Sequence, residues 1–168
     1  MIDHSKYMKA ALAEAEAALT AGDFPVGCVL VFDNRVVIHS RRQNSRANQR
    51  NEMDHAEING LRLLFNRHPE LSPTGITVYS TMEPCLMCYT TMLLNGIRKF
   101  VYAFEDAMGG GTDLDLTALN PLYREMQVEI TGGINRHESL ELFRRYFSDP
   151  ANDYWQDSLL ARAVLQEP

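Results

Sequence analysis

Two cysteines three positions apart, Cys85 and Cys88, follow Pro84 where an apolar strand pattern gives way to a helical one. Residues three apart on a helix share a face, so the two sulfurs point the same way. Pro84 suits the first turn of that helix, where its missing N–H would have no partner in any case. The unpaired N–H groups and positive dipole end of the turn favour thiolates. A second cluster, His55-Ala56-Glu57, stands upstream at the start of another helical pattern. One imidazole and two thiolates leave the fourth tetrahedral position of a zinc ion open, as a catalytic site needs and a structural site does not. One zinc per chain is expected, held by His55, Cys85 and Cys88, with a bound water whose pKa the metal lowers to about 7.

Glu57 lies two residues beyond His55, too close along the chain to serve as a further ligand, and is the expected catalytic proton carrier. A blander role competes, because Asp54 and Glu57 have capping-box spacing and could only start a helix. A lone C-x-x-C could also be redox-active or half of a zinc ribbon, yet the chain has no second cysteine pair to complete a ribbon. The shared layout at two helix starts separated by one strand favours the catalytic reading. The third cysteine, Cys28, sits inside an apolar run and reads as a buried structural thiol.

The elements that position these groups follow from periodicity. Met8, Ala11, Leu12, Ala15, Ala18 and Leu19 recur at helical spacing until Gly22. Val26 to Phe32 is a continuous apolar run of the kind found in strands buried on both faces. Asp33-Asn34 is a turn, and 35–39 the returning strand of a hairpin. Residues 40–53 are polar and irregular and hold Arg41, Arg42, Arg46 and Arg50. They form either a solvated loop or one that faces phosphate or substrate. A helix with Ile58, Leu61, Leu64 and Phe65 on its apolar stripe runs from Asp54 to Asn66. His68 lies in the loop that follows, and a strand from Ile76 delivers the cysteine helix, which carries Met87, Met92, Leu93 and Leu94.

Phe100 to Phe104 is a further strand. The glycine-rich run at 105–112 is a flexible loop or an anion-binding nest, and a short helix falls near 121–126. Val128 to Thr131 closes the sheet. Asn135 and Glu138 open a core helix bearing Leu140, Leu142, Phe143 and Phe147. Asp153 is placed to cap a last helix carrying Trp155, Leu159, Leu160 and Val164. The order gives an α/β fold, three-layer α/β/α, with a mixed five-stranded sheet. Neither repeat nor linker divides the chain, so 1–168 is expected to be one domain, with 149–168 as a helical tail.

At 168 residues, 45% hydrophobic and net charge −6, the chain can build a proper core and is not a basic-coated nucleic-acid binder. Three cysteines without a disulfide pattern, no apolar signal-peptide core and no membrane-length apolar run point to the cytoplasm.

These residues resemble the cytidine/deoxycytidylate deaminase superfamily, and within it the bacterial tRNA adenosine deaminases and nucleobase deaminases. The resemblance spans most of residues 5–148. It rests on Pro25-Val26-Gly27, Asn44, His55-Ala56-Glu57, Glu83-Pro84-Cys85-x-x-Cys88, Asp106-Ala107 and Val128 to Gly133. It implies a cytidine-deaminase-like fold and a zinc-dependent hydrolase that removes the exocyclic amine of a nucleobase. It implies Asn44 at the base or sugar, with Pro25, Val26, Ala56, Glu83, Pro84 and Asp106 around the substrate. It also implies a homodimer. Asp54 before the histidine, Met108-Gly109-Gly110 after Asp106-Ala107, and an acidic tail depart from the tRNA-specific pattern, and phosphate binding needs cations. Tyr154-Trp155 resembles the tail of fungal cytosine deaminases, which makes Trp155 a lid candidate over the pocket. The expected substrate is a free base or nucleoside such as cytosine, guanine or adenine. Arg46 and its neighbours speak for the alternative, the wobble adenosine of a tRNA, and a non-catalytic zinc module is a further alternative.

Overall fold

The structure, a computed structural model, describes residues 2–168. It consists of α1 (His4–Thr20), β1 (Gly27–Phe32), β2 (Arg35–Arg41), α2 (Ala56–Arg67), β3 (Thr77–Met82), α3 (Leu86–Leu94), β4 (Lys99–Phe104), α4 (Pro121–Arg124), β5 (Glu129–Thr131), α5 (Arg136–Ser148) and α6 (Leu159–Gln166). The strands form one five-stranded sheet in the order β2-β1-β3-β4-β5. β1 pairs antiparallel with β2 and β3, whereas β3–β4 and β4–β5 are parallel, so the sheet is mixed. This is the α/β architecture that the order of elements predicts.

Alternation along the strands sends residues to two layers. Val29, Val31, Tyr79, Val101 and Ala103 pack with Tyr7, Met8 and Ala11 of α1. Cys28, Leu30, Val78, Met82, Phe100 and Phe104 belong to the larger cluster, with Ile58, Leu61 and Leu64 of α2 and Tyr89, Met92 and Leu93 of α3. Cys28 is fully buried and makes no disulfide, in keeping with its structural reading. The α1 layer comes very close to β1 at Gly27, where a Cβ would overlap the backbone at Ala11 and Ala15. Asp33 and Asn34 both take positive φ, as the tight hairpin requires.

Several local expectations need correction. α2 begins at Ala56, two residues later than the Asp54 start, with His55 as its N-cap and no side chain capping it. Asp54 instead accepts hydrogen bonds from Asn44, Asn51 and Arg62, which holds it outside the helix. Pro84 precedes the N-cap Cys85, so it lies before the first turn of α3 and not within it. Phe65 and Leu94 leave their apolar stripes and are exposed. α6 is capped by Ser158, whose hydroxyl accepts from Ala161 N. Asp153 is not its cap, because its carboxylate pairs with Arg50 3.1 Å away. Trp155 lies before α6 with φ of 59°, in a turn. Next to it, the Tyr154 ring joins Phe143, Tyr146 and Phe147 of α5 around Phe24.

Candidate active site and metal centre

The first turns of α2 and α3 lie side by side at the ends of β1 and β3. Ser40 of β2 donates to Ala56 O at 2.8 Å and ties the start of α2 to the sheet. The start of α3 is held by the glycine-rich loop. Gly111 N donates to Pro84 O at 2.9 Å, and a Cβ on Gly111 would collide with the Leu86 backbone. The loop is therefore no free anion nest. Its amides at Asp106 and Thr112 donate to Glu83, and those at Met108 and Gly109 donate to Asp106. Two carboxylates of the chain, Glu83 and Asp106, fill it.

This packing brings His55 Nδ1 to 3.6 Å from Cys85 Sγ and 3.5 Å from Cys88 Sγ. The three donor atoms all lie within 4.8 Å of one another. Zinc–nitrogen and zinc–sulfur bonds of about 2.05 and 2.3 Å, meeting at a tetrahedral angle, would set N and S about 3.5 Å apart. The residues therefore fit a zinc ion, with three protein ligands and one position left over. Their ionisation suits the same role. The Cys88 thiol hydrogen-bonds to Cys85 and, against burial and with help from His55, brings its pKa down to about 4. Cys88 is pushed up by that same contact and by its burial. Burial works against charge on His55, yet its hydrogen bond to Cys85 and the nearby Glu57 carboxyl raise its pKa on balance.

Glu57 lies in the first turn of α2, fully enclosed, and takes a 2.8 Å hydrogen bond from Ser80 Oγ of β3. Its other oxygen lies 3.6 Å from Cys88 Sγ. Burial lifts its pKa above the ordinary carboxylate range, with His55 opposing the rise. A carboxyl so placed, with its pKa raised, is suited to carry protons. It makes no capping-box bond, so helix starting does not explain its presence.

A cavity opens beside this centre. His55, Ala56, Glu57, Glu83, Cys85 and Asp106 border it, with Val26 and Trp155 among its apolar walls. Of the other sequence-stated substrate residues, Pro25, Pro84, Asn44 and Arg46 do not line it. Pro25 and Pro84 are buried in the backbone behind it. Asn44 takes positive φ and donates its amide to Asp54 at 2.7 Å. The side chain of Arg46 runs along Gly22. The structure adds Phe24, Met82, Met108, Tyr154 and Leu160 to the cavity wall, and of the four arginines in the loop read as solvated or substrate-facing it brings Arg42 there. The Arg42 guanidinium is almost wholly enclosed, donates to Asn51 O at 2.8 Å, lies 5.5 Å from the Tyr154 ring centre and 3.5 Å from Glu52. Tyr154 had a signal only in the resemblance of Tyr154-Trp155 to a pocket-closing tail, and Leu160 carried none, since no local pattern says that a C-terminal turn folds back over a site made by residues 55–88.

The comparisons agree with this geometry. Residues 1–104 match the family described as cytidine and deoxycytidylate deaminase zinc-binding region, and the chain belongs to that family. It is a zinc-dependent enzyme that removes an amine hydrolytically. Among its relatives, a tRNA-specific adenosine deaminase of Agrobacterium fabrum (strain C58 / ATCC 33970) is 29% identical over 154 residues, covering 91% of this chain and 99% of that protein. One of the same name from Bacillus subtilis (strain 168) is 28% identical over 153 residues, 89% and 91% of the two chains. A solved structure from work on A-to-I editing by tRNA:A34 deaminases superposes with TM-score 0.67 at 27% identity, covering 82% of this chain and 98% of that one. A guanine deaminase from Nitrosomonas europaea shares the fold at TM-score 0.66 and 18% identity, with 84% and 83% covered. No helix among the described residues is long and apolar enough to cross a membrane.

Proposed function

We propose that this enzyme deaminates a free nucleobase or nucleoside, with Glu57 as its proton carrier and His55, Cys85 and Cys88 as its zinc ligands. The metal, when bound, supplies a water that loses a proton near neutral pH. Glu57 accepts that proton and delivers it to a ring nitrogen as the oxygen adds to the amine-bearing carbon. Glu57 would then take the proton of the added hydroxyl and pass it to the amine, so that the carbon–oxygen double bond forms as the C–N bond breaks and ammonia leaves. Val26, Ala56, Glu83, Asp106 and Trp155 stand around the base. Asn44 and Arg46 would reach it only after rearrangement of their loop.

The observation that carries the small-substrate reading is that Arg41, Arg42 and Arg50 are paired within the chain, next to a cavity that Tyr154 and Trp155 help to line. Arg41 bonds to Glu14, Arg42 to Asn51 O and Glu52, and Arg50 to Asp153. Polyanion binding rests on cations that can meet phosphates, and the net charge here is −6. A second reading, a tRNA adenosine as substrate, is supported by the named activity of the relatives at 27–29% identity. We further infer that the whole chain works as one deaminase domain in the cytoplasm and as a homodimer. Leu86 and Leu94 of α3, 52% and 56% exposed, support the dimer.

The test is ammonia release by zinc-loaded protein across cytosine, guanine, adenine, their nucleosides and an anticodon stem-loop with adenosine at the wobble position. Turnover of a base or nucleoside is the expected result. Turnover of the stem-loop alone would overturn the small-substrate reading in favour of the second.

A further inference from the structure

Glu52 belongs to the irregular loop before α2 and to no motif, yet one of its oxygens is a meeting point. Oε2 lies 3.4 Å from His55 Nε2, 2.7 Å from Tyr154 Oη and 3.5 Å from Arg42 Nη2. The other ring nitrogen of His55, Nδ1, faces the two sulfurs. A ligating imidazole must keep its lone pair on the metal side and its proton on the far side, and a carboxylate at the far nitrogen fixes that arrangement. Glu52 stands at the far nitrogen.

No regular element holds the Glu52 side chain in place. Two contacts do. The first is the Tyr154 hydroxyl, carried by the C-terminal segment whose residues rim the cavity. The second is Arg42, which is 2% exposed. Arg42 donates Nη1 to Asn51 O and its backbone N–H to Val26 O, while its Nε and Nη2 are enclosed without a hydrogen-bond partner. Glu52 is the carboxylate that answers this buried cation among the described residues. An enclosed charge left without its counter-ion is costly, so Arg42 resists any movement of Glu52 away from it.

We propose that Glu52 is a positioning residue that receives the outer N–H of His55 and couples the metal ligand to Tyr154. The seating of the C-terminal segment over the cavity thereby sets how firmly the imidazole holds the metal. The inference rests on the reading of His55 as a zinc ligand.

Zinc affinity tests it directly, measured on the full chain by competition with a chromophoric chelator and without any substrate. The wild type is expected to bind one zinc per chain. Glu52→Gln removes the charge but keeps the size and should weaken binding by ~10–100-fold. Tyr154→Phe keeps the carboxylate, loses only the hydroxyl, and should weaken binding in the same direction by a smaller factor. The double variant should be no weaker than Glu52→Gln alone, because both changes act through one contact. Zinc affinity of Glu52→Gln within about twofold of the wild type would overturn the proposal, as would losses that multiply in the double variant. If Glu52→Gln does not fold, an unchanged affinity in Tyr154→Phe overturns the coupling. A wild type that binds no zinc would remove the metal reading itself, a failure distinct from either of these.

Discussion

Glu57 and Ser80 show how much of the chemistry depends on a contact between two strand-end and helix-start residues. Burial pushes the Glu57 carboxyl up, and the His55 imidazole opposes the rise. The Ser80 hydroxyl donates to the ionised form and restrains the rise. Ser80→Ala removes that donor, so the Glu57 pKa should climb further and the acidic limb of the kcat–pH profile should move to higher pH. At neutral pH kcat should fall about tenfold, on the scale of one hydrogen bond to a charged group, with zinc content unchanged. An acidic limb that stays put or moves to lower pH would contradict the assigned role. At this scale the metal donors were legible, because ligand type and spacing are local properties of the chain. Asn44 shows the opposite case. Its match to a family position gave no sign that Asp54, ten residues on, would take its amide.

The elements place these residues through close backbone approaches more than through side-chain volume. α1 lies directly on β1 at Gly27, which a methyl group would drive against the Ala11 carbonyl and the Ala15 amide. Gly27→Ala should therefore cost about 3 kcal/mol or more, since backbone cannot yield as a flexible side chain does. Chemical denaturation of the two proteins checks this. A loss under about 1 kcal/mol would mean that α1 can slide on the sheet. The strands, both site helices and the order of elements were readable from periodicity, because burial on one face imposes a period that the sequence must carry. Helix starts were readable only to within a residue or two. Ser158 rather than Asp153 caps α6 because Asp153 is claimed by Arg50, a contact across a hundred residues that no local rule contains. Of the two readings of the 105–112 run, the free anion nest fails for a similar reason. Its amides have the form of an anion site, and the anions turn out to be Glu83 and Asp106.

For the whole molecule, the C-terminal segment contributes Tyr154, Trp155 and Leu160 to the wall of the cavity. Phe24 draws Tyr154 and the aromatic face of α5 together. Arg136 bonds both Glu105 and Glu167, and Arg144 bonds the last carbonyls, so the tail is fastened at both ends. Leu86 and Leu94 of α3 are exposed, and the expected cover is a second copy. Sedimentation equilibrium should give twice the chain mass of 19.1 kDa, and Leu94→Asp should shift the balance toward the single chain. A wild type that runs as one chain at micromolar concentration would remove the dimer from the account.

The central claim is that the His55–Cys85–Cys88 centre works through Glu57. One comparison bears on it most directly: zinc content and ammonia release of Glu57→Gln beside the wild type, on whichever substrate the panel identifies. The variant should hold its zinc and its melting temperature while turnover falls by ~10²–10⁴-fold, the range for losing a positioned proton carrier. Turnover within a few-fold of the wild type, with zinc bound, would contradict the claim and leave the buried carboxyl as a packing residue beside a metal that works without it.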